Sequence, residues 1–230
     1  MNDRDLDLDR LWQSAPESPR TDKAADTVRL MTATLEPVRP LPSPRSLAAL
    51  FTLFAVALAA PAAFILGPYA LSRLSTGDSI TVYAALAVAL TLSASALAAQ
   101  MFPAARRIAS PSVLLPAVVL ALVLIFAALF SVKQEHAFWR NAWNCARAGL
   151  EAAAVVALAA SLLLRRGALL DLPSTGALTG FFAGLAGTFM LSIHCPDFNL
   201  AHVLTGHLAV AAIGAGLGWL VGSLAALRRR

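Results

Sequence analysis

The stretch VLLPAVVLALVLIFAALFSV, residues 113–132, has no charged residue, and Ser131 is its only hydrogen-bonding side chain. A helix of that length rises about 30 Å, the thickness of a bilayer's hydrocarbon core. A membrane β-strand would be shorter and would alternate polar with apolar positions, which this run does not. Five more apolar runs flank it: Leu47–Ala70, Ser79–Met101, Ala146–Leu164, Gly176–Ile193 and Val203–Ala226. The sequence therefore predicts an all-α membrane protein. Residues 46–230 form a six-transmembrane-helix bundle, and residues 1–45 form a short N-terminal tail, largely disordered or partly helical.

The whole composition agrees. Of 230 residues, 58% are hydrophobic and 13% charged, and the mean hydropathy is +0.70. A soluble domain carries about 25% charged residues, so that class is excluded. Two cysteines exclude a disulfide-stapled secreted miniprotein. The net charge of +5 sits largely in the segments between apolar runs. Orientation in a membrane accounts for it, and no direct binding of nucleic acid is expected. The acidic start MNDRDLDLDR is unlike a signal peptide.

Cationic residues also orient the bundle. With the tail in the cytoplasm, its seven Lys/Arg join Arg106, Arg107, Arg165, Arg166, Arg228, Arg229 and Arg230 on the inside. Only Arg73, Lys133, Arg140 and Arg147 fall outside. The positive-inside rule then places both termini in the cytoplasm, as expected of a multi-pass protein of a bacterial inner membrane. Trp139 and Trp143 fall at the outer interface, where indole rings settle.

The tail contains one aromatic residue, Trp12, and no run able to build a core. Two stretches have helical spacing. In Leu6–Trp12 the candidate contact positions are Leu8, Leu11 and Trp12. In Thr21–Leu35, Asp22 can cap, and Val28, Met31 and Leu35 share a face. A proline-rich connector, LEPVRPLPSPR, follows. Such a tail folds on a partner, and those six apolar residues are its candidate contacts.

Spans five and six carry small residues in a four-residue phase: Gly176, Gly180 and Gly184, then Gly206, Gly214, Gly218 and Gly222. That spacing predicts close packing of the two helices.

No Walker loop, GxSxG, HExxH or CxxC is present, and no enzyme activity is expected. What chemistry there is collects at one depth. Cys145 opens span four, His194 and Cys195 close span five, and His202 and His207 begin span six; His136 lies in the preceding loop. All fall at or near the outer face. Two thiols there could close a disulfide in an oxidising compartment. Alternatively, Cys145, Cys195, His194, His202 and His207 are candidate ligands for a soft divalent metal ion, although no cofactor is certain. Glu151 is an acid inside an apolar run and is expected to be buried. It either pairs with Arg147 one turn away or faces the histidine-bearing start of span six.

Taken together, the tail ending in LEPVRPLPSPR, six spans, WNCARAGLE at the start of span four, LLRRGALL after it and LSIHCPD closing span five resemble a known family. They look like the membrane anti-sigma factors of the negative-regulator-of-sigma-F type, over roughly residues 32–227. The resemblance implies an inner-membrane protein that sequesters an extracytoplasmic-function sigma factor. It also implies release under heavy-metal or oxidative envelope stress, with Cys145 and Cys195 as the signal-sensing pair. His202 and His207 do not map onto the family pattern, and any ligand role for them rests on their placement. The competing expectation is a small metal or proton transporter or channel, with Glu151 and His207 lining the path. A membrane enzyme of thiol redox chemistry is a third, more distant class.

Overall fold

The structure is a computed structural model and describes residues 22–33, 41–102, 109–133 and 138–228. Those residues form seven helices and no strand. Helix α1, Asp22–Ala33, belongs to a unit that ends at Pro40; a second unit begins at Leu41. The second unit holds α2 Pro44–Leu66, α3 Thr76–Ala99, α4 Pro111–Leu129, α5 Phe138–Leu164, α6 Leu172–His194 and α7 Leu200–Leu227. All six are long and apolar enough to cross a membrane, so the six-span bundle expected from hydropathy is the observed fold.

Local signals account for the helix ends. Ser43, Ser75 and Asp171 cap α2, α3 and α6 by accepting hydrogen bonds from the backbone N–H three residues on. Helix α2 stops at Leu66 rather than near Ala70, because Gly67 turns to φ 104° and Pro68 follows. Helix α5 begins eight residues ahead of the apolar run, at Phe138, as an amphipathic extension through Trp139 and Trp143. Its 27 residues rise about 40 Å, some 10 Å more than the hydrocarbon core.

Helix α6 is the axis of the bundle. It has the lowest mean hydropathy of the six, 1.5, yet 83% of its most apolar stretch is buried; α4, at 2.9, is 17% buried. Small residues and satisfied hydroxyls explain this. Thr175, Thr179, Thr188 and Ser192 each donate to the carbonyl four residues earlier. These four hydroxyls are thereby paired within their own helix.

The expected α6–α7 contact is present. A Cβ added to Gly176 would strike the Gly218 carbonyl, and one on Gly180 the Gly214 carbonyl. A Cβ on Gly222 would strike the Leu172 carbonyl. Backbones can approach this closely only without side chains between them. Gly206 departs from the expected pattern: it faces Ala142 and Cys145 of α5 instead. A second close approach, which the sequence reading missed, joins α5 to α6, where Gly187 lies against the Gly149 carbonyl.

Contacts at each end establish an alternating path. Ala168 donates to the Met101 carbonyl at one end, while Leu200 donates to the Ser131 carbonyl at the other. Asn199 fixes the second end. Its amide donates to the Lys133 carbonyl at 2.6 Å, and its Oδ1 accepts from the Lys133 N–H.

Candidate functional site

The end of the bundle that holds Lys133 and Asn199 also gathers the thiols and imidazoles. Cys145 lies two turns into α5, and Cys195 caps the end of α6. The loop Cys195–Asn199 then turns the chain into α7, whose first turns present His202 and His207. Residues Val203–Leu208 form a π-helical turn within α7. Its wider winding differs from the flanking α-helix, and such bulges recur at functional sites. The His207 carbonyl in this turn lies 2.9 Å from the Thr188 hydroxyl of α6 and shares its one proton with the Gly184 carbonyl.

The two sulfurs are 3.5 Å apart and both cysteines are free thiols. Cys195 Sγ is also 3.4 Å from His202 Nε2. The other ring nitrogen, His202 Nδ1, is 3.2 Å from Asp197 Oδ2. Asp197 is in turn held by the Asn199 N–H, which donates to Oδ1 at 3.0 Å. The His207 ring packs edge-on against that of His202, with centroids 5.2 Å apart. His207 Nε2 is buried and has no hydrogen-bond partner among the described residues. One ligand atom from each of Cys145, Cys195, His202 and His207 lies within 4.8 Å of every other. Contact with Cys145 and burial push the Cys195 thiol up from its ordinary range, and the two imidazoles pull it part of the way back.

Three expectations about site residues change. His194 is not brought to the cluster. Although it precedes Cys195, the helix turns its ring away, and its Nδ1 lies 2.8 Å from the Gly67 carbonyl beside the Tyr69 ring. Glu151 is not buried: it and Arg147 form a 3.2 Å pair with side chains 68% and 70% exposed. The alternative in which Glu151 faces the start of span six is therefore not what the fold adopts. Both residues share an outward stripe of α5 with Val155, Leu158 and Leu162, while Gly149, Ala153 and Val156 turn inward. Their long stems allow the charges to reach toward the interface. Asp197 reads from the sequence only as part of the polar turn His194–Asp197, and Asn199 was missed; the signal for Asn199 was an Asx residue just ahead of a helix start.

In the tail, α1 exposes Val28 and Met31, along with Leu30, which the spacing argument did not select. The expected helix Leu6–Trp12, with Leu8, Leu11 and Trp12, lies outside the described residues, as do Leu35 and His136.

A family model described as NrsF, negative regulator of sigma F, matches residues 31–228. Nothing matches the chain among curated proteins. Nothing matches it among solved structures.

Proposed function

This chain belongs to the family of negative regulators of sigma F, whose partner is a sigma factor, and from that premise we propose an anti-sigma factor of the bacterial inner membrane. The tail captures a sigma factor of the extracytoplasmic-function class at the cytoplasmic face. Heavy-metal or oxidative stress, sensed at Cys145 and Cys195 on the outer face, releases it. The observation that carries this reading is the family match over residues 31–228, which takes in the whole six-span bundle. The exposed apolar side chains of α1 supply a capture surface, and the thiol cluster supplies a receiver. A transporter has less support. Glu151 lies on the outside of the bundle, and the polar groups at His207 form a closed cluster rather than a path.

Co-purification of the full chain with its sigma factor tests capture. Val28→Asp and Met31→Asp should each weaken it at least about tenfold, because losing an interface anchor typically costs about 2 kcal/mol. Sigma-dependent transcription should then rise without stress. Wild-type capture by both variants at equal protein levels would remove the tail from the mechanism.

Orientation has its own test. In a cysteine-free background, Ser72→Cys and Leu170→Cys place thiols on exposed loops at opposite ends of the bundle. An impermeant thiol reagent on intact cells should label position 72, and position 170 only after permeabilisation. The reverse pattern would put the cluster in the cytoplasm.

A further inference from the structure

We infer that Cys145, Cys195, His202 and His207 form a closed, four-ligand site for a zinc-group divalent ion, with Asp197 as the group that orients His202. This rests on the reading of the cluster as the receiver, and it names the ligand that the receiver takes.

The first argument is geometric. Zinc binds sulfur at about 2.3 Å and imidazole nitrogen at about 2.0–2.1 Å, usually tetrahedrally. A tetrahedron with those arms has sulfur–sulfur edges of about 3.8 Å and sulfur–nitrogen edges of about 3.5 Å. The observed edges are 3.5 Å between the sulfurs and 3.4 Å between Cys195 Sγ and His202 Nε2. The remaining ligand atoms fall within 4.8 Å of one another, so small side-chain rotations complete the cage. A disulfide, by contrast, requires the sulfurs to close to about 2.05 Å.

The second argument is satisfaction. A buried polar atom without a partner is costly, and His207 Nε2 is such an atom, beside two thiols. A metal ion supplies the partner. The Asn199 N–H holds the Asp197 carboxylate with its Oδ2 3.2 Å from His202 Nδ1, close enough for the hydrogen bond that would fix the tautomer of a metal-bound imidazole and leave Nε2 to coordinate.

Charge is the third argument. Two thiolates, two neutral imidazoles and one divalent ion sum to zero. A neutral complex suits a site walled by α5, α6 and α7, where an isolated charge would be expensive. Loading exchanges two S–H bonds for two metal–sulfur bonds and releases two protons to solvent. All four positions are filled by protein, which suits a structural or sensory site and leaves no open position for substrate. Because the ligands come from α5, the α6–α7 loop and the first turns of α7, with His202 just ahead of the π-helical turn and His207 within it, the ion ties these three elements together.

The test uses purified full-length protein in detergent, reduced and stripped of metal, titrated with Zn2+ and with Co2+ as a spectroscopic probe. One equivalent of either ion should bind per chain, with release of two protons. Cobalt should give the intense visible bands of a tetrahedral site and a thiolate charge-transfer band. His207→Gln and Cys145→Ser should abolish that spectrum, while Asp197→Asn should keep it but weaken affinity about 10- to 100-fold. The wild-type titration alone decides the matter if a variant does not fold. Absence of stoichiometric binding, or an octahedral cobalt spectrum, overturns the site. A tetrahedral spectrum unchanged in His207→Gln overturns the four-ligand assignment. Sigma-factor capture is measured separately. A chain that captures its partner but takes up no metal sinks this inference alone. A chain that takes up metal but captures nothing sinks the function proposed above.

Discussion

Gly180→Leu is expected to abolish accumulation of the folded protein. The added Cβ would land on the Gly214 carbonyl, a backbone atom of the neighbouring helix, so no side-chain rotation relieves it. Overpacking in a core usually costs about 1–3 kcal/mol, but here the clash is between main chains and can be relieved only by separating α6 from α7. Lipid offers no hydrophobic drive to re-pair them, so the close packing is itself what holds the pair together. Helix α6 is also the element around which the others pack, and its displacement would reach α5 through Gly187 and Gly149. Gly216→Leu is the control on α7: a Cβ there meets nothing within 4 Å, and that variant should melt like wild type. Thermal unfolding followed by size-exclusion chromatography in detergent separates the two. A Gly180→Leu protein with wild-type melting would mean that α6 and α7 are not in backbone contact.

The contrast between these glycines shows what a sequence can and cannot disclose about a membrane fold. The spans were legible because each run is long and apolar enough to cross lipid, and that requirement is written residue by residue. The identity of the central helix was not. Hydropathy reports how well a residue tolerates lipid, and a helix surrounded by other helices need not tolerate it. Hence α6, with its threonines, has the lowest mean hydropathy and the deepest burial. Its glycine phase hinted at one close neighbour but not at two. Gly206 lies two four-residue steps before Gly214 yet faces α5, because it sits inside the π-helical turn, where the winding differs from that of the rest of α7.

The candidate site was legible to a similar extent. Depth along the spans placed Cys145, Cys195, His202 and His207 together, since antiparallel helices bring their ends to one level. Depth says nothing about azimuth. His194 and Cys195 are adjacent in sequence, but successive helical positions point about 100° apart, and His194 goes to Gly67. The same ignorance of face made Glu151 look buried, when its stripe of α5 points outward with Val155 and Leu158. Asp197 and Asn199 act through a tight loop whose shape only the folded chain reveals.

Cys145→Ser and Cys195→Ser should each eliminate the stress response, and the double variant should be no worse than either single. The reason lies in the distance between the sulfurs. At 3.5 Å apart they form one unit, whether the signal is an oxidant that joins them or an ion that both coordinate. Removing one thiol leaves the other without its partner in either chemistry, so the effects should not add. Two independent cysteine sensors would instead give partial losses that sum. His207→Gln separates the chemistries further. An ion-driven response should fall with it, whereas a disulfide needs only the sulfurs and should persist. The measurement is sigma-dependent transcription in cells given zinc-group metal or a thiol oxidant, with sigma capture checked in every variant. Capture should be unchanged throughout, because α1 belongs to a different unit of the chain from the cluster and shares no residue with it. A full response in the double variant would reduce both cysteines to packing residues and move the receiver elsewhere in the bundle.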